Sequence, residues 1–137
     1  MNKAAGEVIL GIDPGRSKTG LALTDGAGQI KSLLVAPTAE LAAALLRFTA
    51  GNDILQAVLG DGTNSAAAAA AVRQALPRAR LTLVPEQHST EEARVLYWQL
   101  NPPKGWRRLA PLGLLVPEEP LDAYAAVVLV RRYLQAL

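Results

Sequence analysis

The chain has no cysteine and only one histidine in 137 residues, and aromatic residues make up 4% of it. The missing cysteines exclude a disulfide framework and a thiolate metal site, and a single histidine excludes a histidine-rich one. Any metal would have to be held by carboxylates, an all-oxygen donor set that suits a hard cation such as Mg²⁺ or Mn²⁺. No apolar stretch approaches the length of a membrane span. Met1 to Glu7 carries one lysine, and the apolar run behind it is too short and too soon interrupted for a signal peptide, so a cytoplasmic protein without a membrane partner is expected. The net charge of +2 permits nucleic acid as a partner but does not argue for it alone. What the chain does have is 50% apolar residues, enough for a core, in a length that suits a single domain over residues 1–137.

The organising stretch is Val8 to Leu23. Val8, Ile9, Leu10 and Ile12 have the composition of a strand buried on both faces, and this strand ends on one carboxylate, Asp13. Pro14 and Gly15 turn the chain, Arg16, Ser17 and Lys18 follow, and a second strand returns over Leu21 to Thr24. A lone Asp at a strand end is as often a plain turn former, so the rest of the chain has to decide its role.

After a tight turn at Asp25 to Gly28, a third strand over Gln29 to Val35 completes an antiparallel meander. Thr38 is a candidate N-cap for a helix marked by Leu41, Leu45 and Phe48 and ended at Gly51 to Asp53. Ile54 to Gly60 is a fourth, nearly all-apolar strand that runs into Asp61. The alanine-rich run from Ala66 to Leu76 predicts a helix lying close against a sheet, stopped by Pro77. Leu81 to Val84 is a fifth strand, ending at Pro85 and Glu86. Ser89 and Glu92 have the spacing of a capping box, and Ala93, Leu96, Tyr97 and Leu100 form the stripe of an amphipathic helix. Lys104 to Pro117 is irregular, with an apolar group Leu112, Leu114, Leu115 and Val116, and a last helix starts at Pro120. The order implies an α/β fold with helices on both faces of a mixed five-stranded sheet: a three-strand antiparallel meander plus two parallel strands.

Asp13, Asp61 and Glu86 each close an apolar strand. If the first, fourth and fifth strands are parallel, all three acids reach the same sheet edge, where ligand sites of open α/β sheets lie. At 100° per residue, Ala125, Ala126, Leu129 and Tyr133 fall within roughly 60° of Asp122, with Arg131 opposite. That places Asp122 on the core-facing stripe of its helix, where a charge is costly unless compensated. Gathered together, such acids repel one another and invite cations. Paired Mg²⁺ ions held this way activate water and stabilise the leaving oxygen of a phosphodiester.

These residues also resemble a known family. Gly11-Ile12-Asp13-Pro14-Gly15 with Thr19-Gly20-Leu21-Ala22 is similar to the first motif of the RuvC-like nucleases of the RNase H-like superfamily. Glu86 with Ser89-Thr90-Glu91-Glu92-Ala93-Arg94, and Leu121-Asp122-Ala123-Tyr124-Ala125-Ala126, resemble motifs of its YqgF (RuvX) branch. The resemblance covers nearly the whole chain in order. It implies an RNase H-like fold and metal-dependent cleavage of structured nucleic acid, either in 5′-end maturation of precursor 16S ribosomal RNA or on Holliday-junction-type branched DNA. It also implies Asp13, Glu86 and Asp122 as catalytic, metal-binding acids. The chain departs from the pattern in three places. Gln87 stands where the branch has an arginine, and Glu118-Glu119-Pro120 replace basic residues before the last Asp. Asp61 occupies the place of the strand-four acid of RuvC-type enzymes and joins the catalytic candidates. Glu119, three residues before Asp122, is placed to mimic the paired acids of RuvC proper.

Arg16, Ser17 and Lys18 are candidates for holding a phosphate near Asp13, with a solvated turn as the plain alternative. Lys104, Trp106, Arg107 and Arg108 form a stacking-plus-charge patch for nucleic acid, or else a loop with one aromatic anchor. Thr90 could orient Glu86, and His88 could serve as a general acid, although a first-turn helix role suits Thr90 better. The rivals to a nuclease are an RNase H-like module that binds nucleic acid or protein without cleaving, and an actin-like or sugar-kinase ATPase. The ATPase needs two such domains, more than 137 residues hold. The oligomeric state stays open, a homodimer included.

Overall fold

A computed structural model describes residues 6–111 and 115–137. Residues 1–5, and with them most of the expected N-terminal segment, lie outside the described residues, as do Leu112 and Leu114 of the expected apolar group. Strands β1 (Val8–Asp13), β2 (Lys18–Asp25) and β3 (Ile30–Pro37) form the antiparallel meander. Helix α1 (Leu41–Phe48), strand β4 (Gln56–Gly60), helix α2 (Ser65–Ala75) and strand β5 (Arg80–Val84) follow. Helices α3 (Ser89–Leu100) and α4 (Asp122–Gln135) complete the described chain. The sheet order is β3-β2-β1-β4-β5, with β4 parallel to both β1 and β5. The expected mixed sheet is therefore present, with β1 at its centre. No helix among the described residues is long and apolar enough to cross a membrane.

Alternation along the strands sorts the core into two faces. Leu10 and Ile12 of β1, Leu21 and Leu23 of β2, and Ala57 and Leu59 of β4 pack under α1 and α2 with Leu41, Leu45, Ala68 and Val72. On the other face Ile9, Val58 and Val84 meet Leu129 and Val130 of α4. Helix α3 packs on α4 through Ala93, Leu96 and Tyr97. Residues Ala123 to Val130 are consequently buried all round the helix. The stripe expected from Asp122 through Ala125, Ala126 and Leu129 does face the sheet, but Arg131 on the other side is half-buried as well. Its Nε donates to the Gly28 carbonyl at 3.1 Å, over the β2–β3 turn.

Several local expectations are corrected. Strand β2 begins at Lys18 rather than Leu21, because Lys18 to Gly20 pair with Val35 to Pro37. Thr38 caps no α-helix. It opens a single 3₁₀ turn, and its hydroxyl donates to the Gly15 carbonyl at 2.8 Å and lies 2.9 Å from the buried Thr19 hydroxyl. The Ser89–Glu92 capping box does not form. His88 precedes the helix in a left-handed conformation (φ 64°), Ser89 is buried inside the first turn, and Glu92 pairs with Arg132. The last helix starts at Asp122, so Pro120 lies outside it. Among its described residues, the irregular stretch contains one short 3₁₀ helix, Gly105–Leu109.

Candidate active site

Strand parity builds the site. Asp13 alternates with Gly11 and Ile9, so its side chain rises from the face covered by α4. Asp13 pairs across the ladder with Gly20, and paired residues point the same way. A Cβ added at Gly20 would run into the Asp122 carbonyl, and one at Gly11 into the Ala126 carbonyl. These two glycines let the N-terminus of α4 settle onto the sheet directly beside Asp13. On the other flank, Gly60 shares the face of Val58, and Glu86 follows Val84 two residues on. The Glu86 carboxylate lies across the backbone of Gly60 and Gly62, where a Cβ at either position would collide with it. Glycine thus clears the floor on both sides of Asp13, and Asp122 and Glu86 occupy the two flanks.

The electrostatics follow from that placement. Burial, then the charge of Glu86, then that of Asp122 push the Asp13 carboxyl from 3.8 up to about 7. Burial, then the charge of Asp61, also raises the Glu86 carboxyl. Among the described residues no hydrogen bond reaches the Asp13 carboxylate, so nothing but a proton or a cation offsets its charge. Among the described residues, too, no three acids or histidines are drawn into one ligand shell. As a donor set, Asp13, Glu86 and Asp122 are all oxygen, half-buried and mutually repelling, which fits Mg²⁺ or Mn²⁺ in chemistry.

The remaining acids stand elsewhere. Asp61 is exposed and is not among the charges acting on Asp13. One of its oxygens accepts the Glu86 N–H at 3.2 Å, and its own N–H donates to the Val84 carbonyl at 3.0 Å, prolonging the β4–β5 ladder. Glu119 is also exposed and faces the Tyr124 hydroxyl, 3.5 Å away, so it does not double Asp122. The His88 ring lies 3.5 Å from Glu91, in the first turn of its own helix. Thr90 is exposed on that helix and makes no described bond to Glu86.

Arg16, Ser17 and Lys18 are exposed on the turn beyond Asp13. The turn is not slack: Thr38 grips it through the Gly15 carbonyl, and the Thr38 N–H donates to the Ser17 carbonyl at 2.9 Å. Lys104, Trp106, Arg107 and Arg108 are exposed too. Trp106 is 74% exposed, so it anchors no core and the plain structural alternative for this loop fails. The Arg107 guanidinium sits 6.0 Å from the Trp106 ring centre and 3.8 Å from Glu118. A groove of about 680 Å³ opens here, lined by Tyr97, Asn101, Pro103, Lys104, Arg107 and Glu119 among others. Tyr97 packs edge-on against Tyr124, centroids 5.3 Å apart, which sets the groove beside the start of α4.

Two contributors are not anticipated by the sequence reading. Thr38 carried only the signal of a helix cap, and its partner Gly15 is distant in the chain. Arg132 carried no signal at all, yet its Nη1 donates to the Pro85 carbonyl at 2.7 Å, next to Glu86. The glycines could have been found: Gly11 and Asp13 share strand parity, and a glycine there marks a close backbone approach.

No protein-family model and no curated protein matches the sequence. Among solved structures, the fold is similar to that of RuvC from Thermus thermophilus, with a TM-score of 0.58, 18% identity and 94% of each chain covered. Ethanolamine utilization protein EutJ from Carboxydothermus hydrogenoformans gives a TM-score of 0.50 at 22% identity, over 66% of this chain and 41% of that one. At such identities the likeness concerns the fold alone: a RuvC-like, RNase H-like α/β sheet flanked by helices.

Proposed function

We propose that this protein is a metal-dependent endonuclease for structured nucleic acid, a divergent relative of the YqgF branch of RuvC-like nucleases. The observation that carries the reading is the convergence of Asp13, Glu86 and Asp122 on one face at the carboxyl edge of β1, β4 and β5. Asp13, Glu86 and Asp122 would hold Mg²⁺ or Mn²⁺. A cation held there would lower the pKa of a bound water and stabilise the leaving oxygen of a phosphodiester. Asp13, central and flanked by both other acids, orients the reacting water. Arg16 and Lys18 approach the phosphate from the turn, and Trp106 with Lys104, Arg107 and Arg108 takes up an unpaired stretch beside the groove. Precursor ribosomal RNA and four-way DNA junctions are the two substrate classes, with the cytoplasm as the site of action and a homodimer as the form suited to a symmetric junction.

A second reading, an RNase H-like module that binds without cleaving, is favoured by Gln87 and Glu118-Glu119 in place of basic residues and by the open spacing of the acids. Cleavage assays with Mn²⁺ and with Mg²⁺ on precursor ribosomal RNA, a four-way junction and a single strand separate them. Metal-dependent cleavage that disappears in Asp13→Asn supports the nuclease. Binding without cleavage under every condition leaves the module.

A further inference from the structure

The turn between β5 and α3 carries Glu86, and the peptides on either side of Glu86 are held by hydrogen bonds. The Glu86 N–H donates to Asp61 Oδ1 at 3.2 Å. The Glu86 carbonyl accepts the Ser89 N–H at 2.9 Å. The Pro85 carbonyl accepts Arg132 Nη1 at 2.7 Å, and the other arm of that guanidinium pairs with Glu92 on α3. His88 closes the turn in a left-handed conformation, which a residue other than glycine keeps only where its surroundings hold it. Arg132 lies on α4, the rigid helix whose first residue is Asp122. An arginine needed only to join α3 to α4 would be satisfied by Glu92. This one spends its second arm on the peptide group beside Glu86, and a planar fork binds two fixed acceptors with little loss of freedom.

We propose that Arg132 and Asp61 are positioning residues that clamp the Glu86 turn from opposite sides, Arg132 by tying it to the helix that carries Asp122. The separation of Glu86 and Asp122 is then set by one helix and one guanidinium rather than by a free loop. Asp61 acts as a hydrogen-bond acceptor for the Glu86 peptide and not as a ligand. The proposal rests on the nuclease reading for what the clamp serves, but the clamp itself can be tested without metal.

The full chain is compared with Arg132→Met, Arg132→Lys, Asp61→Ala and Asp61→Asn, using amide hydrogen exchange without metal and calorimetric titration with Mn²⁺. In Arg132→Met the Glu86 and Ser89 amides should exchange at least about tenfold faster, as local opening predicts, while the β1 amides keep their rates. Lysine should restore part of the protection. Mn²⁺ affinity should fall about tenfold or more in Arg132→Met and Asp61→Ala, the usual effect of losing a partner behind a ligand, and less in Asp61→Asn, which keeps an acceptor oxygen. In a Glu86→Gln background Arg132→Met should cost no further affinity, whereas a general loss of folding would add. Wild-type exchange rates in Arg132→Met, additive losses with Glu86→Gln, or equal losses in Asp61→Asn and Asp61→Ala would overturn the proposal. A wild-type protein that takes up no Mn²⁺ would instead remove the nuclease reading, and the exchange rates would still decide the clamp.

Discussion

Replacing Asp13 with Asn should stabilise the metal-free protein, and only above a defined pH. In the folded chain Asp13 keeps its proton up to about 7, and in the unfolded chain it releases it near 3.8. Between those values the folded state binds more protons, so raising the pH destabilises it. The cost is absent below about pH 4 and complete above about pH 7. The difference between 3.8 and about 7 corresponds to at most about 4 kcal/mol. Asp13 is only half-buried, so screening by solvent brings the effect to about 2 kcal/mol. Asparagine is close to isosteric, carries no charge and gives up no described hydrogen bond. At pH 8 in EDTA, Asp13→Asn should therefore melt about 7 °C above wild type, taking 3–4 °C per kcal/mol for a chain of this size. At pH 4 the two should coincide. Saturating Mn²⁺ at about 100 times its Kd should return about 2.7 kcal/mol to wild type and much less to the mutant. Thermal melts followed by circular dichroism from pH 4 to 8.5, with and without Mn²⁺, read all of this. A gap between the proteins that is flat with pH, or a mutant less stable at pH 8, would refute the charge-crowding argument.

Gly20→Ala should destabilise the fold by roughly 3 kcal/mol, since the added methyl meets the Asp122 backbone and not a yielding side chain; denaturant unfolding measures it. It should also weaken Mn²⁺ uptake by lifting Asp122 away from Asp13. Trp106→Ala should leave the melting temperature unchanged, given the exposure of the ring, yet cost single-strand binding about 1–3 kcal/mol in fluorescence titrations. Lys104, Arg107 and Arg108 changed together to Ala should lower nucleic-acid affinity and reduce the slope of log K against log salt by about 2; an unchanged slope would assign the loop to another task. His88→Gly should stabilise the chain by about 1 kcal/mol in chemical denaturation, through relief of the left-handed backbone.

The amino-acid sequence by itself determined the sheet and its order of elements. Apolar runs ending on Asp13, Asp61 and Glu86 identify strands that share an edge, and the small-residue stripe after Asp122 identifies a helix laid on the sheet, because period and composition are local properties of the chain. It also narrowed the chemistry that was open: the lack of cysteine excludes a thiolate metal site, and a single histidine excludes a histidine-rich one. Tertiary structure decided which acids meet. Asp61 looked equivalent to Asp13 and Glu86 in the chain, but one residue beyond Gly60 it leaves the face that Asp13 and Glu86 share, and its carboxylate turns to the Glu86 peptide. Glu119 looked paired with Asp122 through spacing, yet helix α4 begins only at Asp122, so the two are not on one helical face. Ser89 and Glu92 had the spacing of a cap, but α3 packs on α4, which draws Glu92 to Arg132. Thr38 signalled only a helix cap and Arg132 nothing, because their partners, Gly15 and Pro85, are remote in sequence and close only after the sheet is assembled. Local pattern reports which elements form. Which side chains face one another depends on strand parity, glycine gaps and helix placement acting together, and those exist only in the folded chain.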